Sequence, residues 1–235
     1  MAVPRTVVEG HWVEPGDVIS DREWSRTTFR NCHTRKASDL SLRPKLERLK
    51  FTDVKLEWSS PTASRLTDVA VHGLRKDDRS MFFTGCTYDQ VVFSGECGTT
   101  ILDPSLLRDG EQLNDLYRET VLEHDRTSPY FSIDISGATG KFEVRGYRAS
   151  RMVLNPELHA IVRFEDVMGR DLSWLKVDAS SFSFPIARML DRGHEDALLC
   201  AYPKSKYFDA QLAAIARLRA EGIADTVQPN AYRRK

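Results

Sequence analysis

Apolar residues in the stretch 81–95 fall at Met81, Phe83, Cys86, Tyr88, Val91 and Phe93, so the gaps run two, three, two, three, two. This is neither the strict alternation of a half-buried strand nor the three-and-four spacing of an amphipathic helix. Written in fives, the stretch reads MFFTG, CTYDQ, VVFSG, with the first and third residues of each block apolar. The same frame holds for residues 49–73, where Phe51, Leu56, Leu66 and Val71 take the third position. It also holds for 22–36, with Trp24 and Phe29 in that place and Cys32 opening the last block. A block of five with two inward side chains predicts a short straight edge followed by a corner. About four such edges close one coil, and coils stack at the strand spacing of about 4.8 Å. No coil buries its face alone, so stability has to come from its neighbours. The expected inward-facing residues are Phe29, Cys32, Phe51, Leu56, Leu66, Val71, Phe83, Cys86, Tyr88 and Phe93. An ordinary β-sandwich of short strands is the alternative.

Past residue 103 the pattern changes. Leu106, Leu107, Leu113, Leu116, Tyr117, Thr120 and Val121 recur at helical spacing behind Asp103 and Pro104, predicting a helix or helix pair over 104–125. Strand-like runs return at 131–137, 141–146 and 159–164, so the coil is expected to resume to about residue 178 around an inserted helix. From there "FPIARMLDRG" predicts a short helix stopped by Gly193. "DALLCAY" (196–202) reads as a buried strand. "FDAQLAAIARLRAEG" (208–222) places Phe208, Leu212, Ile215, Ala216 and Leu218 on one helical face. The expectation is two units: residues 1–178, and a C-terminal helix–strand–helix cap with a tail over 179–235. An exposed coil end is a sticky sheet edge that calls for such a cover; a homodimer through the C-terminal helix is the alternative role.

The segments "TFRNC" (28–32) and "MFFTGCTYDQVVF" resemble pentapeptide-repeat proteins, over residues 22–103 or so. The resemblance implies a right-handed, four-sided β-helix, so the expected class is mainly β with a helical insertion and a C-terminal α/β cap. Two departures stand out. The family's Asp or Asn at the second position is mostly replaced, as by Lys50, Lys55, Arg65, Phe82, Thr87 and Val92, and the register breaks at 37–48 and 74–80.

Composition changes this picture little. The chain has 235 residues, 34 basic and 34 acidic, and is 41% hydrophobic. It carries no net field to draw nucleic acid, and no apolar run approaches the roughly 18 residues of a membrane span. The opening residues lack a signal-peptide pattern, and a cytoplasmic location without membrane attachment is expected. Cys32, Cys86, Cys97 and Cys200 form no CxxC pair and read as small buried hydrophobes. "SGATGK" (136–141) lacks the first glycine and the final Ser/Thr of a phosphate loop and reads as a turn. "EHD" (123–125) and "HED" (194–196) set histidines beside carboxylates, a pattern that helical surfaces also produce. No catalytic, cofactor-binding or metal-binding constellation stands out, so no cofactor is expected. In "YPKSKYF" (202–208), Lys204, Lys206 and Tyr207 precede a helix and are candidate partner contacts.

These observations favour a non-catalytic binding scaffold that engages a protein partner, with an immunity or resistance role as one form. Some relatives of the resembled family mimic duplex DNA and protect type II topoisomerases. That role needs an acidic rod, whereas charge over residues 1–103 cancels and Lys36, Lys50, Lys55 and Arg65 point outward. A third reading is an enzyme with its site between coils and inserted helices. Direct nucleic-acid binding is disfavoured for want of a basic stripe.

Overall fold

A computed structural model describes residues 4–76, 80–106, 110–175 and 182–225. Its largest feature is an eight-stranded sheet. The path runs β1 (Thr6–Glu9), β4 (Thr27–Arg30), β6 (Lys45–Glu57), β7 (Arg65–Lys76), β10 (Val91–Cys97) and β12 (Ile133–Ala138). Beside it, β3 (Val18–Ser25) pairs with β6, and β9 (Thr87–Asp89) pairs with β7. Every pairing in this sheet is parallel. Two smaller parallel sheets accompany it: β8 (Met81–Thr84), β11 (Thr99–Asp103) and β13 (Lys141–Val144), and the pair β2 (Trp12–Val13) with β5 (His33–Thr34).

Register stacks like on like. Ile19, Leu46, Leu66 and Tyr88 form one column, and Trp24, Phe51, Val71 and Phe93 form another. Such columns let apolar side chains pack layer upon layer, and they account for the main core, with Leu49, Val69 and Phe93 all but fully buried. The five-residue spacing is also visible in the backbone. Left-handed φ values occur at Asp21, Arg26 and Asn31, at Arg48, Asp53, Trp58, Ala63 and Asp68, and at Gly85, Gln90 and Gly95. Most of these are not glycine, and each costs about 1 kcal/mol or more that the surrounding packing must offset.

The expected mainly β, right-handed four-sided β-helix is nevertheless not the fold found. The chain is mixed α/β, built from several parallel sheets, one of eight strands, with four helices among the described residues: α1 (Glu111–Thr127), α2 (Phe164–Val167), α3 (Ser183–Arg192) and α4 (Phe208–Ala220). The reason lies in what a local spacing specifies. It fixes which side chains face inward and where the backbone turns left-handed, but not how strands associate. Pairing runs on past these positions, so β6 is a continuous strand of 13 residues and β7 one of 12.

A second core forms where β14 (His159–Arg163) pairs antiparallel with β15 (Asp196–Cys200) and β16 (Ala224–Asp225). Strand alternation divides this sheet between the two cores. Ile161, Leu198 and Cys200 face the first core. Ala160, Val162 and Leu199 face the helical side, packing with Ile186 and Met189 of α3 and Ile215 and Leu218 of α4. With both faces covered, all five residues of β15 are buried. Gly193 ends α3 in the left-handed conformation, φ 65°. Among the described residues, no helix is long and apolar enough to cross a membrane.

Candidate functional site

The first layer of strands leaves one end of the parallel stack open. Among the described residues β1 pairs only with β4, β2 only with β5 and β3 only with β6, so each offers an unpaired backbone edge on the same side. These edges surround a cavity of about 690 Å³ that runs inward from Val8, Val18 and Trp24 to Val69 and Phe93. Ligand sites in proteins span roughly 300–1,000 Å³.

Three aromatic rings stand near the mouth. Trp24 stacks on Phe51 with ring centroids 5.0 Å apart, and Phe29 meets both edge-on at 5.7 and 5.9 Å. Val71 and Phe93, deeper in the Trp24 column, are buried; Trp24 is half-exposed with no further layer above it, and Phe29 and Phe51 are half-exposed although Val8 and Trp24 pair above them. Val18 (53% exposed) stands on the rim, and Val7 (50%) and Trp12 (44%) are exposed on β1 and β2 beside the lining residues Val8 and Val13. Trp12 lies 4.8 Å from the His33 ring and carries the Arg35 guanidinium at the same distance. Burial, reinforced by Lys76, lowers the His33 pKa, so this ring is neutral at pH 7.

Several polar groups in the wall are already engaged. Ser59 Oγ accepts from the Cys32 N–H at 2.9 Å, and Thr34 Oγ1 donates to the Thr62 carbonyl at 2.6 Å. The Asp17 carboxylate takes the Glu14 N–H at 2.9 Å. Arg22 differs. It pairs in register with Leu49, which pairs in turn with Val69, so a guanidinium tops an otherwise aliphatic column. Its neighbours' carboxylates are spoken for, Asp21 by Arg48 at 2.7 Å and Glu23 by Lys50 at 3.4 Å. Arg22 itself makes no ion pair among the described residues. It occupies the first position of the block REWSR, where an apolar or small residue is the rule. That break in the spacing is the sequence signal that marks it.

The sequence-derived inward set divides by depth. Leu66, Val71, Phe83, Cys86, Tyr88 and Phe93 are buried, whereas Phe29, Cys32, Phe51 and Leu56 are half-buried around the cavity. The candidate partner contacts lie elsewhere, on the loop before α4: Lys204 pairs with Glu96 of β10, and Lys206 sits 4.8 Å over the exposed Tyr207 ring. They do not converge on the open end.

The histidine–carboxylate triplets prove to be structural contacts. His124 Nε2 lies 3.0 Å from Asp89 Oδ1, and Ser128 Oγ donates to the same oxygen at 2.6 Å. Both hydrogen-bond to the aspartate and not to each other, so the serine has no base, and the trio fastens the end of α1 to β9. In the second triplet, Asp196 accepts the N–H groups of Ala149 and Ser150 at 2.6 and 3.1 Å. Cys86, Cys97 and Cys200 are buried, and desolvation pushes each thiol up to about 11. Among the described residues, no group of three or more His, Cys, Asp or Glu side chains could hold a metal ion. Compared with known proteins, the chain matches no family model, no curated protein and no solved structure.

Proposed function

We propose that the chain is a binding scaffold that engages a protein partner at the open end of its parallel stack. One observation carries this reading: three strands with unpaired edges frame one apolar mouth, and Val7, Trp12 and Val18 are exposed on those strands. Main-chain groups on such an edge bind an added strand, and the adjoining apolar surface selects its side chains. Unguarded edges aggregate, and Glu9, Asp21, Arg22 and Glu23 on these strands discourage indiscriminate pairing. The surface charge of the sheet also favours this reading over mimicry of DNA. Its acidic side chains are matched by bases, as in Arg5–Asp53, Arg48–Asp21 and Arg30–Glu57, and offer no uninterrupted acidic face.

Site-specific photocrosslinking in the native host tests it. With a benzophenone amino acid at position 7 or 12, one protein partner should be captured in stoichiometric amounts. The same probe at Met168, 66% exposed at the end of α2, should not capture it. Equal capture from all three positions, or capture from none, would overturn the proposal.

A further inference from the structure

We infer that the cavity beneath the open end binds a free amphipathic anion, a molecule with a single extended apolar chain or ring system and one anionic head, with Arg22 holding the head. This does not depend on the partner reading, because it rests on the interior of the stack and not on its edges.

Depth and lining select the apolar body. The accessible part of the cavity lies nearest the mouth, where Ile19, Trp24, Phe29, Leu46, Phe51 and Leu56 are half-buried, and the buried Leu49, Val69 and Phe93 close its floor. Its wall is mostly aliphatic and aromatic, and the hydroxyls of Thr34 and Ser59 are bonded to backbone. A polar molecule would find few partners there and would lose its hydration on entering. Trp24 and Phe51, stacked near the mouth, offer flat faces to the body of the ligand where it passes into the stack.

The head is selected by charge. Arg22 and Asp17 are the two charged side chains that line the cavity, and Asp17 is held by the Glu14 N–H. Asp21 and Glu23, on either side of Arg22, are matched by Arg48 and Lys50 on the neighbouring strand. His11 and His33 also line the mouth, and His33 is neutral at pH 7. The guanidinium is therefore the available cation at the rim, and its planar donor fork suits a carboxylate, sulfate or phosphate monoester.

The test uses the full chain with dodecanoate and dodecyltrimethylammonium, each below its micelle concentration, and with dodecanol below its solubility limit. Binding is measured by calorimetry and by the emission of Trp24, with Trp24→Phe identifying the reporter. Dodecanoate is expected to bind one per chain. Arg22→Gln, at an exposed position, should weaken dodecanoate by about tenfold or more, the worth of a charge-assisted hydrogen bond, and leave dodecanol unchanged. Arg22→Lys should restore part of the loss. Equal binding of the anion and the cation, or no effect of Arg22→Gln, would overturn the assignment of the head. No saturable binding of any of the three would overturn the site altogether. Photocrosslinking from positions 7 and 12 is read separately, so failure here leaves the partner proposal standing, and the reverse.

Discussion

The Tyr117 hydroxyl joins α1 to a segment 80 residues away in sequence. Its oxygen accepts from the Ala37 N–H at 2.9 Å, and its hydrogen is donated to the Ala37 carbonyl, also at 2.9 Å. Tyr117 is fully buried and Ala37 is 3% exposed, so water cannot replace either bond. Tyr117→Phe keeps the ring and opens no cavity, but it strands one donor and one acceptor of Ala37. At about 1–3 kcal/mol for each stranded group, the expected loss is about 2–6 kcal/mol, or a fall in Tm of roughly 4–24 °C for a chain of this size. Urea unfolding followed by circular dichroism reads the loss as a lower midpoint at unchanged slope. Amide exchange at Ala37 reads it locally, and should quicken. Leu116→Ala, one position earlier on the exposed side of α1, serves as control and should stay within about 0.5 kcal/mol. A Tyr117→Phe protein as stable as the control, with Ala37 still protected, would refute the reasoning.

Two further predictions concern the same region. An added Cβ at Gly85 would lie 2.6 Å from Leu106 Cδ2 and 3.2 Å from Tyr117 Cδ1, at a φ of +63°. Gly85→Ala should therefore cost about 2–4 kcal/mol by thermal unfolding, and Leu106→Ala in the same chain should cost less than the sum of the two. Burial alone would raise the Asp89 carboxyl, but hydrogen bonds from His124 and Ser128 outweigh it and hold the pKa below the ordinary value. A lowered folded pKa means that the contribution is complete above the unfolded value of about 4 and is lost as pH falls through the folded one. The stability gap between wild type and Asp89→Asn should accordingly shrink from pH 5 towards pH 2. A constant gap across that range would count against the network. Using the difference separates Asp89 from Asp125 and Asp196, whose carboxyls burial pushes upward.

Much of the local organisation is legible in the residues themselves. Phe51, Val71 and Phe93 repeat at the third position of their blocks and occupy one column of the sheet. The helical spacing of Leu113, Tyr117 and Val121 corresponds to α1, and the stop at Gly193 to the end of α3. The open end was harder to see. Trp24 satisfies the same spacing as Phe93, and nothing in the pattern says that its layer is the one with no neighbour above it. The departure at Arg22 is a visible signal, but its meaning depends on knowing that Leu49 and Val69 lie beneath.

By itself the sequence determined what depends on near neighbours: where side chains face inward, where the backbone bends and where α3 stops at Gly193, though not the start of α1, which lies at Glu111 and not behind Pro104. Those properties follow from spacing, side-chain size and local hydrogen bonding, which act over a few residues. Tertiary structure alone decided the rest. It joined the strands into an eight-stranded parallel sheet within a mixed α/β fold and set the strand at 159–163 between two cores. It also left one layer unpaired over a cavity. Such arrangements are fixed by contacts between residues tens of positions apart, as between Ala37 and Tyr117, and a local spacing is compatible with more than one of them.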